Sequence, residues 1–169
     1  GNAMDFAGDA DSISLGSNAF GNMGDLITVS MWVKFDSLLG GNPFFSENHE
    51  TVCRDLLLHQ TSGGSQLQVV GNPGTLTKSA TVTTGTWYYV SFVSRASLGY
   101  LYMNGQLDTT DETDVDWGNS CTKKVVIGGT DTNATYNPHD GLIDEVRISN
   151  TDRSADWIEA EHLFTTNSS

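Results

Sequence analysis

Carboxylates and aromatic rings are the residues of this chain whose types and spacing could do chemistry. Asp11 alternates with Ile13 and Leu15, and Asp144 with Leu142, Val146 and Ile148. A period-two strand would therefore turn both carboxylates toward the core side at a strand end. An ionised carboxylate placed there needs compensation. It can come from loop N–H groups, or from a shared calcium ion with Asp9 and loop carbonyls completing an oxygen shell. Trp117 and Tyr136 lie among polar neighbours, so each is either ordinary loop packing or an exposed ring on which a sugar can stack. Asn48, His49 and Arg54 fall in another polar stretch and His139 closely follows Tyr136, with groups able to hydrogen-bond to hydroxyls.

Catalytic patterns are missing. Retaining glycoside hydrolysis needs two carboxylates about 5–5.5 Å apart on one strand face. No Glu-x-Asp-x-Glu or Glu-x-Asp-x-x-Glu run occurs: Glu112, Asp114 and Asp116 share a face, but the closing glutamate of either pattern is missing. The acidic run 111–116 also lacks the ligand ladder and glycine of an EF-hand loop, and reads as a solvated loop or edge strand. His49, His59, His139 and His162 are scattered and read as surface or loop histidines outside any nucleophile–base set. The expectation is a protein that is not an enzyme.

Charge narrows the partners. Eight basic against 21 acidic residues leave a net charge of −13 over 169 residues. Such a surface repels phosphate backbones and anionic lipid, which argues against nucleic acid and membrane insertion. No apolar run approaches the roughly 18 residues of a membrane span. No charged and apolar leader opens the chain, and the start reads as a piece cut from something longer. Cys53 and Cys121 are either two thiols or one disulfide, their polar flanks tilting toward the bridge.

Strand patterns must position these residues. Residues 26–35 alternate cleanly, with Ile27, Val29, Met31, Val33 and Phe35 on one face. Further strands are predicted at 3–6, 12–15, 52–58, 66–70, 75–82, 87–95, 99–103, 106–109, 123–128 and 141–149. Asn104-Gly105 is the strongest hairpin signal, since both central residues of a type I′ turn need positive φ. Turn signals every 8–12 residues or so point to a sandwich or barrel. One helix is expected over 155–163, capped by Ser154 and anchored by Trp157, Ile158 and Leu163. Trp32 and Trp87 are expected to be packing residues. The loop 129–139 is long enough for a binding role. The expected domain spans 1–164, with 165–169 a linker stub.

Five segments together carry a family resemblance. Residues 4–11 (MDFAGDAD) resemble an F-x-G-x-x-D opening, and 29–34 (VSMWVK) an S-x-W-V-K strand. Residues 86–92 (TWYYVSF) resemble W-x-x-V-A-F, 101–105 (LYMNG) resemble L-Y-V-N-G, and 141–148 (GLIDEVRI) resemble G-x-I-D-E-V-R-I. Residues 154–158 then match a closing short helix. In this order they resemble laminin G-like, concanavalin A-type domains. One departure is His139, two before Gly141, where that family often has an aromatic.

The resemblance implies an all-β fold: a two-sheet antiparallel jelly-roll sandwich with one short C-terminal helix. It implies a module of an extracellular or cell-surface protein that binds glycans or other surfaces, many such modules holding calcium. The resulting expectation is a non-catalytic carbohydrate-binding module with a structural calcium and a neutral glycan ligand. The alternative is an adhesive or architectural module whose partner is a surface protein.

Overall fold

The computed structural model describes residues 2–8, 11–17, 26–48, 54–61, 63–71, 75–95, 98–111, 124–130 and 138–166. Strands β1 (Met4–Ala7), β2 (Ile13–Ser17) and β3 (Ile27–Phe35) come first. Next are β4 (Pro43–Asn48), β5 (Arg54–Gln60), β6 (Gln66–Gly71), β7 (Thr75–Thr81) and β8 (Trp87–Arg95). The chain ends with β9 (Leu98–Met103), β10 (Gln106–Asp111), β11 (Lys124–Ile127), β12 (Asp140–Ser149) and helix α1 (Ala155–Thr166).

The strands form two six-stranded antiparallel sheets. Sheet I has the order β1-β12-β3-β8-β9-β10, and sheet II the order β2-β11-β4-β5-β6-β7. They share one core. Ile27, Val29, Met31, Val33 and Phe35 of β3 meet Phe44, Phe45, Leu56, Leu58, Leu67 and Val69 from sheet II. The expected all-β, two-sheet jelly-roll sandwich with a single C-terminal helix is what the chain forms.

Local chemistry accounts for the sharpest features. Asn104 and Gly105 have φ of 51° and 79°, the left-handed pair of a type I′ turn joining β9 to β10. Asn104 also accepts a hydrogen bond from Tyr89 N at 3.0 Å, tying the hairpin to β8. At the helix start, Ser154 Oγ accepts from Trp157 N at 3.3 Å, the expected N-cap.

Three elements differ from the pattern-based expectation. The first is α1, which runs on to Thr166, so that Thr165 and Thr166 belong to the helix and not to a linker stub. Strand β4 was not predicted. Its residues (PFFSEN) do not alternate and follow a Gly-Gly-Asn turn signal. A bulge between Pro43 and Phe45 lets both Phe44 and Phe45 face the core. Strand β12 also breaks period two, with its register against β3 jumping between Asp144 and Arg147. Glu145, at φ 53°, is the extra residue. Ile143 is fully buried and Val146 packs on the same core. Asp144 therefore belongs to the opposite face, contrary to its expected parity with Val146.

Helix α1 lies across the outer face of sheet I. Its anchor is Ile158, fully buried with Tyr89, Val93 and Tyr102. Trp157 and Leu163, expected to share that role, are 37% and 53% exposed, and Arg153 sits over the Trp157 ring at 4.4 Å. Trp32 does pack: its indole N–H donates to Thr165 Oγ1 at 3.0 Å, and its ring lies 5.4 Å from Tyr89. Trp87 does not follow it, being 37% exposed at the start of β8.

Candidate functional site

The outer face of sheet II carries no helix among the described residues. Its floor follows from the register. Ile127, Phe45, Leu58 and Val69 form a cross-strand row that faces the core. The adjacent row, Val126, Ser46, Leu57 and Val70, must face outward. One step further, His59 pairs with Gln68 across β5 and β6 on that outward face. Apolar side chains thus alternate with hydroxyl, imidazole and amide groups. Ser46, Leu57, His59 and Val126 are each no more than 6% exposed, so on β4, β5 and β11 these rows are covered, and Gln68 and Val70 of β6 are their partly open members.

Ser46 connects this floor to a long connection. Its hydroxyl donates to Gly129 O at 2.9 Å, where the chain leaves β11. The same connection returns at His139, whose N–H donates to Gly128 O at 2.9 Å. Both ends of the 129–139 segment are therefore pinned at the sheet II side. Sequence reasoning had not connected His59, Gln68 and Ser46 with a site. Leu56, Leu57 and Leu58 are all apolar, which hides the alternation that would have revealed which way His59 points.

The residues singled out from sequence have separate fates. Asn48 and Arg54 oppose each other at the ends of β4 and β5, so they close a hairpin rather than lie in a loop. His49, Trp117, Tyr136, Asp9, Cys53 and Cys121 lie outside the described residues. His139 is fully buried, with its ring 5.3 Å from Phe35, 5.9 Å from Phe6 and 6.5 Å from Phe44. It takes the aromatic's place in the core and has no side-chain surface to offer a sugar. His59 is also buried, and His162 packs within 5.6 Å of Trp32 and Tyr89, so neither is the surface histidine expected. Burial lowers the pKa of His162.

The two aspartates of the expected calcium site do not converge. Asp11 is exposed, and its Oδ2 accepts from Ala7 N at 3.2 Å. Ala7 is opposite Asp140 in register. Asp144 lies four residues further along β12, about 13 Å away at the rise of an extended strand. Its Oδ1 accepts from Glu145 N at 2.9 Å within the bulge. Calcium–oxygen bonds are about 2.3–2.6 Å long, so one ion cannot take both carboxylates. No group of three metal-ligating side chains occurs among the described residues.

Solved structures share the architecture. Domain 4 of AbnA, a GH43 extracellular arabinanase from Geobacillus stearothermophilus in complex with arabinotriose, matches with a TM-score of 0.73 at 19% identity. That match covers 94% of this chain and 75% of the other. A Trypanosoma rangeli sialidase matches with a TM-score of 0.67 at 16% identity, over 83% of this chain and 23% of the sialidase. The heptameric SAP-like pentraxin of Limulus polyphemus matches with a TM-score of 0.63 at 18% identity, over 80% of this chain and 69% of the pentraxin. No curated protein sequence matches the chain. The motif order, the two-sheet sandwich and a family-model match over residues 7–159 agree: the chain belongs to the concanavalin A-like lectin/glucanases superfamily, in its Laminin_G_3 family.

Proposed function

We propose that this chain is a non-catalytic carbohydrate-binding module of a larger extracellular or cell-surface protein. Its ligand is a neutral glycan, bound over the outer face of sheet II and the connections that begin there. The observation that carries this reading is the asymmetry of the sandwich. Helix α1 occupies the outer face of sheet I, whereas the outer face of sheet II carries no helix among the described residues and sets the partly open Gln68 beside the apolar Val70 on β6. Such a surface suits sugar rings, which present apolar faces edged by hydroxyls. The arabinotriose bound to the AbnA domain supports the ligand class. A net charge of −13 disfavours sulfated or uronate-rich chains.

The expected affinity is high micromolar to millimolar, about −4 to −6 kcal/mol, which one stacked ring and a few hydrogen bonds supply. Titration calorimetry with arabinotriose as first probe and a neutral glycan array test the reading. Trp117→Ala and Tyr136→Ala are expected to abolish binding with little change in melting temperature. Gln68→Ala is expected to weaken it at least several-fold. If no neutral glycan binds, the adhesive reading with a surface-protein partner replaces this one.

The calcium expectation now rests on Asp11 without Asp144. A calcium-dependent rise in melting temperature, about 2.7 kcal/mol at 100 times the dissociation constant, is expected to vanish in Asp11→Asn and to persist in Asp144→Ala. Loss in Asp144→Ala would restore the shared site. Identical melting in calcium and chelator would remove calcium from the reading.

A further inference from the structure

Strand β1 is held weakly by its backbone. It has four residues and pairs only with β12, at the edge of sheet I. Phe6 is its one buried side chain, 3% exposed. The Phe6 ring fits a slot made by two distant residues. On one side is Gly128, where an added Cβ would stand 2.2 Å from the ring. On the other is His139, edge-on at 5.9 Å. Phe35 of β3 and Phe44 of β4 complete the cage around the imidazole.

Neither nitrogen of His139 makes a well-formed hydrogen bond among the described residues, although the Leu142 and Lys34 carbonyls lie near the ring. A buried polar ring so placed is costly, and a charged one far more so. We infer that His139 is an acid-sensitive latch: its neutral ring holds Phe6 and thereby β1, and its protonation releases that strand from the sandwich. Release would leave β12 as the edge of sheet I, with open backbone groups along it.

The surroundings set the direction. Burial pushes the pKa of His139 down to about 4. The Leu142 and Lys34 carbonyls, Asp140 on β12 and Asp36 just past β3 favour the imidazolium without offsetting that burial. From β1 and β4 come the Phe6 and Phe44 rings, and from the turn after β11 comes Gly128, none of them charged. Asp11 acts nearby through Ala7 N rather than on the ring. A released histidine titrates near 6.5, so β1 is held fully above that pH. The hold is lost as pH falls from about 6.5 to about 4, and between pH 7.5 and pH 4 the opening equilibrium rises on the order of 100-fold.

The experiment is amide hydrogen exchange of Met4–Ala7 in chelator, at several pH values from 7.5 to 4, corrected for intrinsic exchange rates. In the native chain the opening constant of these amides should climb steeply below pH 6.5, while core amides of β3 and β8 lag behind. In His139→Phe the climb should disappear, and His139→Leu should do the same should the larger ring overpack. Asp11→Asn should retain it. Parallel pH curves for the native chain and both His139 variants would overturn the latch. So would an acid response abolished by Asp11→Asn and kept by His139→Phe.

Discussion

Replacing Glu161 by alanine is expected to destabilise the domain by about 3 kcal/mol, the cost of leaving buried donors unpaired. At this chain length that is a fall of roughly 9 °C in melting temperature. Glu161 is the polar hub beneath α1, its side chain only 7% exposed. Its Oε2 accepts from the Tyr89 hydroxyl and from Ser30 Oγ, the latter at 3.1 Å. Its Oε1 lies 3.5 Å from Arg147 Nε. Burial, and then the Glu161 acceptor, raise the pKa of Tyr89 and keep its hydroxyl a donor.

Alanine would strand both hydroxyls in the interface and strip Arg147 of one of its two carboxylates, leaving Glu145. Glu161→Gln keeps an acceptor for Tyr89 and Ser30, so its cost should be about 1 kcal/mol. Chemical denaturation of both variants checks the ordering. A Glu161→Ala loss below that of Glu161→Gln would mean that the helix is held by Ile158 and the aromatic cluster alone.

Gly128→Ala is expected to cost a further amount of similar size, also about 3 kcal/mol. Two effects add. The residue has φ of 79°, which an alanine adopts only at a penalty of roughly 1 kcal/mol or more. The new methyl would also stand 2.2 Å from the Phe6 ring, which must leave its slot. The second effect depends wholly on Phe6, so the two sites should couple. In a Phe6→Ala background, Gly128→Ala should cost only the backbone part, about 1 kcal/mol. Equal costs with and without Phe6 would show that strain at Gly128, and not the slot, dominates.

Much of the architecture was written in local pattern. Residues 26–35 alternate apolar and polar because one face of β3 meets the other sheet. Asn104-Gly105 specifies its turn because those two residues tolerate positive φ. Ser154 starts α1 because its hydroxyl can accept from the first free N–H groups. Each is a contest among neighbours in sequence, and each came out as expected, as did the ordered motifs that mark the family.

The site was less legible because its geometry depends on residues far apart in the chain. The direction of Asp144 was decided by a single extra residue at Glu145, which reverses the parity of everything before it. Strand β4 formed where Pro43 and two adjacent phenylalanines hide the period, since pairing with β5 and β11 outweighs local preference. Ile158 rather than Trp157 became the helix anchor because sheet I offers its aromatic socket to that one face of the turn. His139 became a core residue because Phe6, Phe35 and Phe44 converge on it from three strands. Periodicity determines which side chains share a face, but only the packing of the sheets decides what that face meets. The burial that sets a histidine's charge, or covers one stretch of a sheet face and leaves another open, is therefore a property of the tertiary structure.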